Sequence, residues 1–129
     1  MKKLLTLALS VLCAGVVFAD ASYPDISLAD LKKAIADKKV TLIDVNGSDS
    51  YKSGHIPGAI DFQTQKAALA TTLPSDKGAL VVAYCGGPAC NAYKAGASAA
   101  QALGYTNVKH FTAGISGWKS AGEATEPGK

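Results

Sequence analysis

Short runs of branched apolar residues alternate along the chain with longer stretches in which apolar positions recur at helical spacing. Residues 20–26 form an extended lead-in, where Pro24 cannot donate to a ladder. Ser27 opens a helix with Asp30 as a weak capping-box partner; Leu28, Leu31 and Ile35 mark its apolar face, and Lys32, Lys33 and Asp37 face water. Val40–Val45 (VTLIDV) reads as a buried strand, and residues 46–57 are polar and turn-rich. Ala59–Phe62 predicts a second short strand, and Gln63–Leu73 a helix ended by Pro74. Ala79–Tyr84 (ALVVAY) is the clearest buried strand. A glycine-rich turn, Cys85–Cys90, separates it from a helix over Asn91–Leu103, which Gly104 stops. Val108–Phe111 reads as a last strand and residues 115–121 as a short closing helix.

Strands that are apolar on both faces and alternate with helices predict an α/β fold: a parallel sheet covered by helices on both sides. The length of 129 residues suits one domain. The start of the chain stands apart from that domain. Lys2 and Lys3 precede an apolar run from Leu4 to Phe18, and Val17-Phe18-Ala19 supplies tolerated residues before a cut. Basic, then apolar, then small is the order of a secretory signal peptide. The expected organisation is therefore a signal peptide over residues 1–19 and one domain over residues 20–129. The location is secreted or periplasmic, with no membrane attachment after cleavage. The run is shorter than the roughly 20 residues a spanning helix needs.

The formal charge of +3 moves toward neutrality once Lys2 and Lys3 are lost, and no basic stripe survives to suit nucleic acid. Every basic residue is lysine, so the bidentate clamp that arginine offers an oxyanion is absent. Cleavage also removes Cys13 and leaves Cys85 and Cys90. They are too close in sequence for a bridge between them to stabilise the domain much.

Ligands of open α/β sheets bind beyond the carboxyl ends of the strands, and Cys85 stands at such an end. Gly86, Gly87, Pro88 and Ala89 carry little bulk, so their amides can turn inward as an anion-binding nest. The helix starting near Asn91 adds its positive end. Both effects favour thiolate at Cys85, and Gly86 and Gly87 are expected to supply backbone angles or a close approach that a β-carbon would hinder.

Several of these stretches together resemble the rhodanese family. Leu42-Ile43-Asp44-Val45, Tyr51 and the run Gly54-His55-Ile56-Pro57-Gly58-Ala59-Ile60 are similar to its N-terminal signature. Val82-Ala83-Tyr84-Cys85 with the small-residue loop is similar to its active-site strand and cradle, and Val108–Gly122, with Gly114 and Trp118, to its C-terminal signature. The resemblance implies a rhodanese-like parallel sheet between helices. Its activity would be double displacement, in which a donor leaves sulfane sulfur on the cysteine as a persulfide and an acceptor removes it. By that analogy Cys85 is the nucleophile and Gly86 through Cys90 are the cradle. The expected site is then Cys85 and Cys90 as catalytic residues, with Gly86, Gly87, Pro88, Ala89 and Asn91 as the substrate-binding loop. Two positions depart from the family pattern: Asn46 and Cys90 stand where arginine is common.

The partners this implies are small sulfur-containing substrates, with a thiol or a protein as acceptor. No cofactor is expected. No metal is expected either, since Cys85, Cys90, His55 and His110 match no usual zinc spacing. His55 reads as a structural hydrogen-bond partner and Trp118 as core. Three rivals remain. One is a thiol–disulfide redox protein cycling Cys85 and Cys90, although its spacing is not the C-x-x-C of thioredoxin-like proteins. Another is a related phosphatase, which would want an arginine closing a longer loop. The third is a carrier that only hands sulfur to a partner.

Overall fold

The computed structural model describes residues 23–128, and the expected leader lies outside them. Strands β1 (Thr41–Asp44), β2 (Ile60–Asp61), β3 (Val81–Tyr84) and β4 (Val108–His110) form one sheet in the order β2-β1-β3-β4. Every pairing is parallel, with Asp44 beside Tyr84 and Ala83 beside His110. The lead-in joins the β4 edge through one carbonyl and one amide: His110 N–H donates to Pro24 O at 2.8 Å, and Ile26 N–H to His110 O at 2.9 Å. A proline fits there because its oxygen, not a missing N–H, makes the contact.

Alternation along the strands divides the core into two layers. Ile43, Val81, Ala83 and Val108 pack with Ala97 and Ala100 of α5 (Tyr93–Ala102) and with Leu69 of α4 (Leu69–Thr72). Leu42, Val82 and Tyr84 pack on the other face with Leu31 of α1 (Leu28–Ala36) and Trp118 of α6 (Gly114–Ser120). Val81 and Val82 are both 0 % exposed, and each such burial stabilises the fold by roughly 1.5–3 kcal/mol. Gly96 lets α5 approach the sheet, since a β-carbon there would lie 2.9 Å from Val45 Cγ2.

Two stretches differ from the sequence expectation. Within the turn-rich residues 46–57 lies a helix, α2 (Ser48–Ser53), which has no buried residue and so no apolar stripe to announce it. The helix expected over Gln63–Leu73 is broken into α3 (Phe62–Gln65), a 3-10 turn (Lys66–Ala68) and α4. The hydroxyls of Thr71 and Thr72 both donate to Ala68 O, at 2.9 and 3.0 Å, where side-chain bonds compete with the helical ladder.

Candidate active site

Cys85 follows β3 directly and is 1 % exposed, at the carboxyl end of a central strand. Its thiol donates to Cys90 O at 3.3 Å. Cys90 N–H in turn donates to Gly87 O at 3.0 Å, a tight turn that folds the loop back over Cys85. The loop thereby places the Cys90 main chain against the Cys85 sulfur, and the two thiols are close enough to affect each other's protonation. The backbone amides of Tyr93 and Gly86 favour a charged Cys85 sulfur, and those of Gly86 and Ala92 a charged Cys90 sulfur.

Burial, and next the Cys90 thiol, push the Cys85 thiol up to about 11 against the pull of the Tyr93 and Gly86 amides. Cys90 is half-buried, and the hydrogen bond from Cys85 together with the Gly86 amide lowers its pKa. Burial thus disfavours the thiolate at Cys85, while the more exposed Cys90 is shifted toward it. This corrects the expectation that nest and helix end favour thiolate at Cys85 itself. Both features are present, but burial outweighs them.

The rest of the loop rests on α6. Ile115 N–H donates to Cys85 O and Ser116 N–H to Gly86 O, both at 3.0 Å. Gly114 makes this docking possible: its φ is +63°, and a β-carbon there would stand 2.6 Å from Cys85 O. On the other side, Tyr84 O–H donates to buried Asp44 Oδ2 at 2.7 Å and receives Ile56 N–H at 3.1 Å. Burial raises the Asp44 carboxyl above its ordinary range, and the Tyr84 and Asn46 bonds oppose it. Asn46 N–H donates to Asp44 Oδ1 at 2.8 Å, which places Asn46 beside the loop. A β-carbon on Gly86 would lie 3.8 Å from Asn46 Oδ1, and Asn46 Nδ2 is buried with no partner among the described residues.

The residues expected from sequence are brought together unevenly. Cys85 and Cys90 meet, and Gly86 supplies an amide to both. Gly87 contributes its carbonyl to the turn, whereas Pro88 and Ala89 are exposed. Exposed Asn91 accepts Lys94 N–H on its carbonyl at 3.2 Å as α5 begins. Neither Gly86 nor Gly87 has a positive φ, and a β-carbon at either meets nothing closer than 3.8 Å. Of the two reasons expected for the loop glycines, the demand for special backbone angles falls on Gly114 rather than on Gly86 and Gly87. Ala92 and Tyr93, whose amides complete the cradle, were not singled out in the sequence. Only their place after Cys90 at a helix start hinted at them.

Other candidates lie apart from the sulfur atoms. His55 stacks on Tyr51 with centroids 3.8 Å apart and holds Tyr51 O through Nδ1 at 2.9 Å, a structural role. Trp118 is core, its Nε1–H donating to Ala124 O at 2.9 Å. His110 is buried and stacks on Tyr93 at 3.3 Å. An open cleft of about 250 Å³ is lined by Val45, Gly47, Phe62, Gln63 and Lys66, flanking Asn46. Among the described residues no three His, Cys, Asp or Glu side chains cluster to hold a metal, and no helix is long and apolar enough to cross a membrane.

A parallel sheet between helices, with a thiol pair under inward amides at a central strand end, defines an α/β domain with a strand-end cysteine site. The chain belongs to the rhodanese-like domain family, whose pattern matches residues 27–121. It is 33% identical over 104 residues to the HTH-type transcriptional regulator Rv0324 of Mycobacterium tuberculosis. That match takes in 80% of this chain and 45% of the regulator, so the chain spans less than half that relative's length. Among solved structures, the BH2092 protein of Bacillus halodurans superposes with a TM-score of 0.58 at 30% identity, over 81% of this chain and 77% of that one. Two more share the fold. Thiosulfate sulfurtransferase from Pseudomonas aeruginosa has a TM-score of 0.66 at 24% identity, over 85% of this chain and 20% of its own. The human single-domain sulfurtransferase TSTD1 has a TM-score of 0.61 at 22% identity, over 77% and 97%.

Proposed function

We propose that this protein is a sulfurtransferase that carries sulfane sulfur on Cys85 as a persulfide. The observation that carries this reading is the seat of Cys85: a strand-end thiol under the Gly86 and Tyr93 amides, paired with a second thiol, in a rhodanese-like domain. As a donor arrives, the Cys90 thiolate takes the Cys85 proton. Cys85 Sγ then attacks the donor's sulfane sulfur, the donor leaves with the electron pair of its broken bond, and the cradle amides hold the persulfide's charge. An acceptor thiol or protein attacks the outer sulfur and restores the Cys85–Cys90 pair.

Loading should rise with pH through the first ionisation of the pair, which lies below an ordinary thiol because Cys90 is lowered. In Cys90→Ser the neighbouring thiolate that takes the Cys85 proton is gone, and burial, opposed by the Tyr93 and Gly86 amides, governs Cys85. The loading profile should then move to higher pH, with a loss of roughly tenfold or more near neutrality. An unmoved profile would remove Cys90 from the proton transfer.

The donor class follows from charge. Cys85–Cys90 contains no cationic side chain, and the chain has no arginine. Polysulfide, whose sulfur chain carries no oxyanion group, should therefore outperform thiosulfate, whose compact oxyanion end wants a bidentate cation. Turnover of the two donors with a small thiol acceptor tests the reading, and Cys85→Ser should abolish both activities. Turnover that survives in Cys85→Ser contradicts it. Sulfur loading without turnover selects a carrier. The site of action is outside the cytoplasm after cleavage behind Ala19, and N-terminal sequencing of the native protein should begin at Asp20.

A further inference from the structure

We infer that Cys90 also gives this site a second activity, self-discharge of the persulfide as sulfide with closure of a Cys85–Cys90 disulfide. The inference rests on the persulfide reading above and adds a fate for that intermediate which needs no acceptor. Three features carry it. Cys85 is fixed at a strand end and almost fully buried, whereas Cys90 is half-buried. The Cys90-to-Gly87 turn brings the second thiol back to the first, with Cys85 Sγ 3.3 Å from Cys90 O. The span between them, Gly86-Gly87-Pro88-Ala89, has no bulky side chain to obstruct closure.

The chemistry balances within the protein. The Cys90 thiolate attacks Cys85 Sγ, the inner sulfur of the persulfide. A sulfur–sulfur bond forms between the two cysteines, the bond to the outer sulfur breaks, and that sulfur departs as HS⁻ with the electron pair. The donor supplied the oxidising equivalent when it loaded the sulfane sulfur. Attack at the outer sulfur instead would only move the persulfide to Cys90, with no sulfide and no disulfide. A dithiol reductant returns the protein to its starting state. It attacks the more accessible Cys90 sulfur, expels Cys85 as thiolate, and its second thiol then resolves the mixed disulfide and becomes oxidised. A buried Cys85 persulfide shielded from acceptors would thus discharge by itself.

The test follows one loaded turnover. The purified protein and its Cys90→Ser and Cys90→Ala variants are loaded with inorganic polysulfide at alkaline pH, then desalted and held without thiol. Released sulfide and intact mass are followed with time. The parent should release one equivalent of sulfide as the added sulfur gives way to a mass two hydrogens below the dithiol form. Both variants should keep the added sulfur at least about tenfold longer and form no internal disulfide. Equal persulfide lifetimes in parent and variants, or transfer to Cys90 without sulfide, overturn the inference and leave the sulfurtransferase reading standing. Failure of every form to gain sulfur overturns both.

Discussion

At residue scale, the glycine that matters to the loop is outside it. Gly114 has φ +63° and would bring a β-carbon within 2.6 Å of Cys85 O, so Gly114→Ala adds backbone strain and a backbone clash together. It should lower stability by about 2–4 kcal/mol and slow sulfur loading. Gly87→Ala should be nearly silent in denaturant melts, because its β-carbon would meet nothing nearer than 3.8 Å. Equal costs at the two positions would show that the loop is not seated on α6 as described. The sequence could not make this distinction, because a glycine-rich run displays small volume but not φ. That Cys85 and Cys90 share one short loop was legible in their spacing. The burial that raises Cys85 was not, because it comes from a core that Cys85 shares with Ile43, Leu69 and Tyr93, residues spread along the chain.

At the scale of elements, the site depends on how β1 and β3 end together. Tyr84 O–H bridges Asp44 Oδ2 and Ile56 N–H, joining both strand ends to the segment before β2. Tyr84→Phe strands a buried carboxyl oxygen and an amide, and should cost about 2 kcal/mol in equilibrium unfolding. A cost near zero would mean that neither group needs the hydroxyl. Strands and the parallel sheet were readable because VTLIDV and ALVVAY are apolar runs bounded by turn residues. Helix α2 has no fully buried residue and packs only its one aromatic, Tyr51, against the core, so no periodicity marks it. The helix after β2 breaks where Thr71 and Thr72 turn their hydroxyls onto Ala68 O, a competition that apolar spacing does not record.

At the scale of the whole molecule, the β4 edge links stability to pH. Burial holds His110 below its ordinary 6.5 and nearby Asp25 partly opposes it, so the folded chain keeps the ring neutral where the unfolded chain takes a proton. The stabilisation from this group is complete above the unfolded pKa and is lost as pH falls through the folded one. Thermal melts should weaken between about pH 7 and 5, and His110→Phe, which can keep the stack on Tyr93, should flatten that slope. An unchanged slope would assign the acid sensitivity elsewhere. The same architecture sets Cys85 where β3, α5 and α6 converge, and its role as sulfur carrier is the central claim. The most direct measurement is the intact mass of the protein after brief exposure to polysulfide, followed by peptide mapping of the added atom. One added sulfur on the peptide carrying Cys85, absent from Cys85→Ser, is the predicted result. Absence of a sulfur-bearing form in Cys90→Ser at alkaline pH, where no internal disulfide can close, or loading that persists in Cys85→Ser, would contradict it.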